Sequence, residues 1–313
     1  MIGELKIFSG QATRQLTEKV CHHLNQPLGQ MEAFRFSNDN FFVRIQENVR
    51  EADVFVIQTS VPPVDANLME TLITIDALRR ASAARVSAVL PYYPYARSDK
   101  KDQPRIPITA RLVADLLTAA GADRVITFDL HADQIQGFFS IPLDHLSALP
   151  LLTDYFAAQQ IPDLVVVALD TGGVKRATEA ARRLDTDVAM MDKRRIGNQQ
   201  RVTIKNIIGE VAGRPVLIFE DEIQTGGSLL AAGELLRARG ATDIYVACLH
   251  PAFTKDAAGM LSSFRFKEIV VTDTVPLPPR TDFPGLSVVS VAPLLAEAIR
   301  RTHHGESIST LFS

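Results

Sequence analysis

An α/β fold, with mainly parallel sheets flanked by helices in two related domains, is predicted by three observations. First, short runs of Val, Ile, Leu and Phe recur along the chain. Such near-continuous apolar strands are buried on both faces, as in parallel sheets covered by helices. Second, amphipathic segments of helical period separate these runs, which is the alternation of a βαβ chain. Third, residues 114–131, ADLLTAAGADRVITFDLH, return as residues 233–250, GELLRARGATDIYVACLH. At a constant offset of 119, Leu116/Leu235, Leu117/Leu236, Ala119/Ala238, Gly121/Gly240, Ala122/Ala241, Leu130/Leu249 and His131/His250 are identical. A helix–Gly-Ala–strand unit can arise in any α/β chain, but the shared Leu-His ending favours duplication.

In order, strands are expected at 5–8, 54–58, 86–90 and 124–128, with helices at 67–81 and 109–120. After a boundary near 148 come strands at 164–169, 188–191, 216–219, 244–249 and 269–272, and helices at 174–184 and 228–239. No low-complexity linker marks the boundary, so the expected domains are 1–148 and 149–313.

With 313 residues, 46% of them apolar and 22% charged, the chain can bury two cores. Its formal net charge of −3 provides no global field for nucleic acid or an anionic membrane, so neither is expected as a partner. An anionic ligand must then be held by loops and helix N-termini. Cys21 and Cys248, the only cysteines, are too few for a disulfide framework or a Cys-based zinc site. The start MIGELKIFSG lacks the pattern of a signal peptide, and no apolar run approaches the roughly 18 residues of a membrane span. The expected location is cytoplasmic.

In open parallel sheets, ligands gather beyond the carboxyl ends of the strands, so the residues there form the functional shortlist. Residues 216–228, VLIFEDEIQTGGS, run from a buried strand through Glu220 and Asp221 to Thr225-Gly226-Gly227-Ser228 before a helix. Glycines admit close approach, and successive N–H groups at a helix N-terminus cradle a phosphate. The two carboxylates can accept hydrogen bonds from a ribose diol or contact Mg²⁺. An ordinary capped helix would not need the acidic pair beside the glycine pair. Residues 164–177, LVVVALDTGGVKRA, repeat the theme with Asp170, Thr171, Gly172 and Gly173. That turn is common by itself, and gains meaning from the first loop.

Lys193-Arg194-Arg195 leaves a strand and enters a polar stretch. Three cations in a row usually form a solvated face; beside two anion loops they can form a cationic flap over a transferring phosphoryl group. His131 ends the strand 124–128, whereas its repeat partner His250 has no anion loop and is expected to be structural. Residues 92–105, YYPYARSDKKDQPR, put Arg97, Lys100, Lys101 and Arg105 on a loop, and Phe36-Ser37-Asn38 offers an aromatic face and an amide for a purine. No G-x-x-x-x-G-K-[ST] occurs, which excludes a P-loop nucleotide site.

Together these segments resemble the ribose-phosphate diphosphokinase (PRPP synthetase) family, in its phosphate-regulated class. The likeness runs nearly end to end. It covers residues 35–37, 76–83 (DALRRASA), 92–102, 129–139 including QIQGFF, 192–195, 293–299 and 311–313. The resemblance implies two tandem type I phosphoribosyltransferase domains and transfer of diphosphate from Mg-ATP to ribose 5-phosphate. Phe36, Asn38, Asn40, Arg97, Ser98, Asp99 and His131 would bind ATP, with Phe36 and Asn38 reaching in from a neighbouring subunit. His131 and Asp170 would bind Mg²⁺, and Asp170, Thr171, Gly172 and Gly173 would form the diphosphate loop. Lys193, Arg195 and His131 would be catalytic. Glu220, Asp221, Gln224, Thr225, Gly226, Gly227 and Ser228 would hold ribose 5-phosphate. Arg50, Ser82, Arg105, Gln134, Asp144, Ser307, Ser309 and Phe312 would be allosteric contacts. A homo-oligomer built of dimers, a hexamer, is implied as well.

The chain departs from the family pattern at several positions. Asn40 stands for Glu, Ser98 for Gln, Glu220 for Asp, Glu222 for an apolar residue and Gln224 for Asp; Asn48 and Pro104 replace serines. A transferase that consumes PRPP, a silent regulatory homologue and a diphosphokinase for another sugar phosphate therefore stay open at this stage.

Overall fold

The computed structural model describes residues 3–195, 202–279 and 281–311; the side chains of 192–195 and 202–205 lie outside the described set. Two compact units are present, and each is built around one sheet.

The first unit opens with β1 (Leu5–Ser9) and α1 (Arg14–Leu24), followed by β2 (Met31–Arg35) and β3 (Phe41–Ile45), which pair antiparallel as a separate hairpin. Then come β4 (Asp53–Ile57), α2 (Val64–Arg80), β5 (Arg85–Leu90), α3 (Thr109–Ala120), β6 (Arg124–Phe128) and β7 (Leu143–Leu146). A parallel pair needs a crossover, and the helices supply it. The sheet order is β1-β4-β5-β6-β7, all parallel. Val54, Phe55, Val56 and Ile57 are all buried, as a strand covered on both faces must be.

The second unit runs α4 (Leu149–Ala158), β8 (Val165–Ala168), α5 (Val174–Leu184), β9 (Asp187–Arg195), β10 (Val202–Ile208), β11 (Val216–Glu222), α6 (Gly227–Ala238), β12 (Ile244–His250), α7 (Ala257–Ser263), β13 (Glu268–Thr272) and β14 (Leu286–Val289). Its sheet order is β10-β9-β8-β11-β12-β13-β14, parallel except where β10 folds back on β9. All nine strands and four helices expected from the sequence are present, with ends shifted by a few residues. The duplication is visible too: α3 and α6 each give way to a glycine with positive φ, Gly121 at 104° and Gly240 at 86°, before a buried strand. Left-handed backbone is where glycine alone carries no steric penalty.

One expectation differs. The second domain was expected to run unbroken from 149, but residues 274–276 and 291–311 group with the first unit. The last helix, α8 (Ala292–His304), packs against α1. Asp53, at 0% exposure, explains its attachment. Arg85 donates to both Asp53 carboxylate oxygens, at 2.7 and 2.6 Å, and to the Thr302 carbonyl at 2.9 Å. His303 Nδ1 lies 2.8 Å from the same carboxylate. A buried charge must be paired, and here the pairing joins β4, β5 and α8. Beyond α8, Arg301 holds the Ser307 carbonyl and the Thr310 hydroxyl. Hydrogen bonds from Arg300 and then Arg301 hold the Glu297 carboxyl down to about 2. No helix among the described residues is long and apolar enough to cross a membrane.

Replacing Asp53 by Ala should destabilise the protein by roughly 3 kcal/mol, the low end for a broken buried pair. The low end applies because the Arg85 side chain keeps 22% of its surface in water. Urea unfolding of the two proteins measures this, and an unchanged midpoint would show that α8 is held by apolar packing alone.

Candidate active site

In the second unit, β8 pairs in parallel with β9 on one side and with β11 on the other. Three candidate segments therefore leave the same edge of the sheet at consecutive positions: the cationic run at the end of β9, Asp170–Gly173 after β8, and Glu220–Ser228 at the end of β11.

The loop after β8 is closed by its own acid. The Gly173 N–H donates to Asp170 Oδ1 at 3.1 Å and to the Asp170 carbonyl at 3.2 Å. The Gly173 amide is thus taken up within the loop, by Asp170. Neither glycine has a positive φ, and a Cβ on Gly172 would meet only Asp170 Oδ1, at 3.2 Å. A Cβ on Gly173 would find only ordinary contacts, the nearest at 3.7 Å. Backbone conformation does not demand glycine at either position, and beyond Asp170 Oδ1 the space over Gly172 is open.

The end of β11 carries two half-buried carboxylates, Glu220 and Asp221, before the loop that follows. Arg176, on the first turns of α5, lies 3.6 Å from Asp221 Oδ2 and ties the two loops together. The sequence reading assigned Arg176 no role; its place just after the Thr-Gly-Gly turn was the available signal. Gly226 adopts φ 78°, and Gly227 opens α6 with only Thr225 Oγ1, at 3.8 Å, near a would-be Cβ. The N-terminus of a twelve-residue helix thus lies behind a bare glycine pair, flanked by the exposed residues Thr225 and Ser228. Gln224 donates its amide to Glu222, so two of the residues that depart from the family pattern pair with each other. Burial pushes the neighbouring Cys248 thiol well up, with the carboxylates of Glu220 and Asp221 adding to it, which leaves it an inert core group. His250 is buried within β12, as expected of a structural histidine. The backbone of Lys193 and Arg195 belongs to β9, while their side chains lie outside the described residues.

In the first unit, Asp129 follows β6 with φ 33° and accepts the Ser147 hydroxyl at 2.7 Å. The Leu130 N–H donates to His145 Nε2 at 2.8 Å, which requires a neutral His145 protonated on Nδ1. These contacts with the end of β7 set the exposed His131 at the carboxyl edge of the sheet. Sequence reasoning missed His145, whose only mark is its position two residues before Ser147. Residues 91–107 are irregular and expose Arg97, Lys100, Lys101 and Arg105. Asp99 is buried and accepts from Gln134 at 2.9 Å, so an expected regulatory residue touches an expected nucleotide residue. Ser98 turns into α3 instead, its hydroxyl accepting the Thr109 N–H at 3.2 Å.

Phe36 tops the β2–β3 hairpin at 49% exposure, 5.1 Å from the Phe34 ring and 5.6 Å from that of Phe42. Asn38 accepts the Asn40 N–H at 3.2 Å, which shapes the turn. Of the expected regulatory residues, Ser82 is joined to the segment of Arg50 by a 2.9 Å bond from the Glu51 N–H. Asp144 pairs with Arg124 at 2.6 Å, and the Ser309 N–H donates to the Ser307 hydroxyl at 3.3 Å. Phe312 lies outside the described residues.

Known proteins share this arrangement. Residues 5–121 match the N-terminal domain of ribose phosphate pyrophosphokinase, and residues 194–313 match the phosphoribosyl synthetase-associated domain. A ribose-phosphate pyrophosphokinase from Caldanaerobacter subterraneus is 48% identical, covering 99% of this chain and 98% of its own. One from a Nostoc species is 47% identical over 98% of this chain and 93% of its own. The crystal structure of phosphoribosylpyrophosphate synthetase from Mycobacterium smegmatis superposes with a TM-score of 0.91 at 41% identity, covering 97% of this chain and all of that one. With such likeness over its whole length, and the glycine loops in place on adjacent strands, the chain belongs to the ribose-phosphate pyrophosphokinase family.

Proposed function

We propose that this chain transfers the diphosphoryl group of Mg-ATP to the 1-hydroxyl of ribose 5-phosphate, giving 5-phosphoribosyl 1-diphosphate and AMP. The observation that carries this reading is the pair of acid-and-glycine loops on the adjacent parallel strands β8 and β11. In a chain 47% identical to enzymes named for this reaction, that pair provides two neighbouring anion sites on one sheet edge.

Phosphoryl transfer demands alignment and charge neutralisation more than covalent chemistry. Thr225–Ser228, at the N-terminus of α6, suits the 5-phosphate through backbone amides and two hydroxyls. Glu220 and Asp221 are acceptors for the ribose hydroxyls, with Arg176 3.6 Å from Asp221. The loop Asp170–Gly173 leaves room for the diphosphate. On the first unit, Arg97 and His131 offer cationic and imidazole contacts to phosphates, and Phe36 with Asn38 and Asn40 offers a purine platform.

Mg²⁺ is supported by the donor chemistry. It is usually held by one or two carboxylates plus substrate phosphates and water, not by a dedicated cage. Asp170 offers such a carboxylate, with lone pairs beyond the one that takes the Gly173 N–H, and His131 offers a ring nitrogen. When bound, the ion would neutralise the charge of the triphosphate. Phosphate and ADP regulation through the seven described allosteric candidates and Phe312, and a cytoplasmic location, belong to the same reading.

The reading is tested by coupled detection of AMP from ATP across ribose 5-phosphate, 2-deoxyribose 5-phosphate and arabinose 5-phosphate. AMP should form with ribose 5-phosphate and depend on Mg²⁺; no AMP with any sugar phosphate would leave the chain a regulatory homologue. On the flap, Lys193→Ala and Arg195→Ala should each lower kcat about 10²–10³-fold, as loss of a charge-stabilising donor does. The KM for ATP should hardly move, and a risen KM with intact kcat would reduce them to a binding patch. The exposed Phe36 at the tip of the hairpin supports an ATP site shared between copies, hence a homo-oligomer of dimers up to a hexamer. Light scattering should report at least a dimer at assay concentration, and an active monomer would refute it.

A further inference from the structure

We infer that Glu222 is a positioning residue for the sugar-phosphate loop, acting through the side chain of Gln224; this rests on the reading of that loop given above. Glu222 is the last residue of β11, and at 7% exposure it keeps a carboxylate nearly out of water. A carboxylate in such a place is unfavourable unless donors reach it. One donor is the Gln224 amide, which bonds to Glu222 Oε1. Because an ionised carboxylate only accepts, the amide nitrogen of Gln224 is the end turned toward it, and the orientation of the side chain is set.

The main chain on either side is pinned as well. The Ile223 N–H donates to the His250 carbonyl at 3.1 Å, and the Gln224 carbonyl accepts the Thr254 N–H at 2.9 Å. Thr225, the first residue of the phosphate loop, therefore follows a residue held by both backbone and side chain. Glu220 and Asp221, which precede Glu222 in β11, are half-buried, and the Gln224 amide goes to Glu222. Along β11 Glu222 alternates away from Asp221 and shares a side with Glu220, but it is buried where Glu220 is half-exposed, so it supports the loop from within. Its chemistry is that of an acceptor, which an amide can replace and an alkyl group cannot.

The test is equilibrium binding of ribose 5-phosphate by calorimetry to the full-length protein and its variants, together with kinetics for both substrates. Glu222→Leu should weaken ribose 5-phosphate about tenfold, the order expected for one lost charge-assisted hydrogen bond, and leave the KM for ATP within about twofold. Glu222→Gln, which keeps an acceptor for the Gln224 amide, should bind within about threefold of the parent. If Glu222 acts through Gln224, Glu222→Leu/Gln224→Leu should be no worse than Gln224→Leu alone. Parental affinity in Glu222→Leu, additive losses in the double variant, or an equal rise in the KM for ATP would each overturn the inference. Should Glu222→Leu fail to fold, Glu222→Gln and Gln224→Leu still decide it: a loss in Glu222→Gln as large as that in Gln224→Leu overturns it. A parent protein that does not bind ribose 5-phosphate at all would instead remove the functional reading, and this inference with it.

Discussion

A strand buried on both faces cannot present a polar side chain along its length, so polar function is displaced to its end. Most of what this protein does follows from that constraint. β8 and the body of β11 are closed to water on both sides, and their first half-exposed acids are Asp170 and Glu220. Because the two strands are parallel neighbours, those acids emerge together, each followed by a glycine turn and a helix N-terminus. The sheet thus concentrates acceptors and amide donors on one edge, in a chain whose overall charge gives anions no attraction.

The arrangement carries an electrostatic tension: carboxylates gather where phosphates are to bind. The structure resolves it by giving the acids local work. Asp170 takes the Gly173 N–H, Asp221 faces Arg176, and Glu222 takes the Gln224 amide. Each acid so engaged organises the loop it stands on, and the helix N-termini remain to meet an anion. Glu222, which stands where the family has an apolar residue, is thus accommodated by Gln224, itself a departure from the family pattern. A Glu at 222 calls for a donor nearby, and an Asp at 224 would have supplied a second carboxylate instead.

The first unit is organised differently. Its segment after β6 is held from the neighbouring strand, through Ser147 and His145, and so a histidine that is exposed can still be well placed. His131 and His250 occupy equivalent places in the repeat, yet one follows its strand and is exposed while the other lies within its strand and is buried. The difference of a few residues in strand length separates a candidate ligand from a core side chain.

The sequence alone determined each segment's character. Apolar runs such as 216–219 could only be buried strands, the glycine–acid clusters could only be ends, and the repeated Gly-Ala before a strand marked the duplication. The hairpin, α1, α4, α7, α8, β7, β10 and β14 were not legible in this way, being short, partly exposed or of mixed period. Phe36 was visible as an exposed aromatic, but its support by Phe34 and Phe42 was not, since ring contacts form across strands. Only the tertiary structure decided that β8 lies beside β11 although the β9–β10 hairpin separates them in the chain. It likewise decided that Arg176 meets Asp221, that Glu222 finds Gln224, and that α8 joins the first unit through Asp53. The physical reason is that periodicity reports how much of a segment meets water, a local property of each stretch of chain. Which strand becomes a neighbour, and which partner a buried charge finds, are set by crossovers and packing among distant residues.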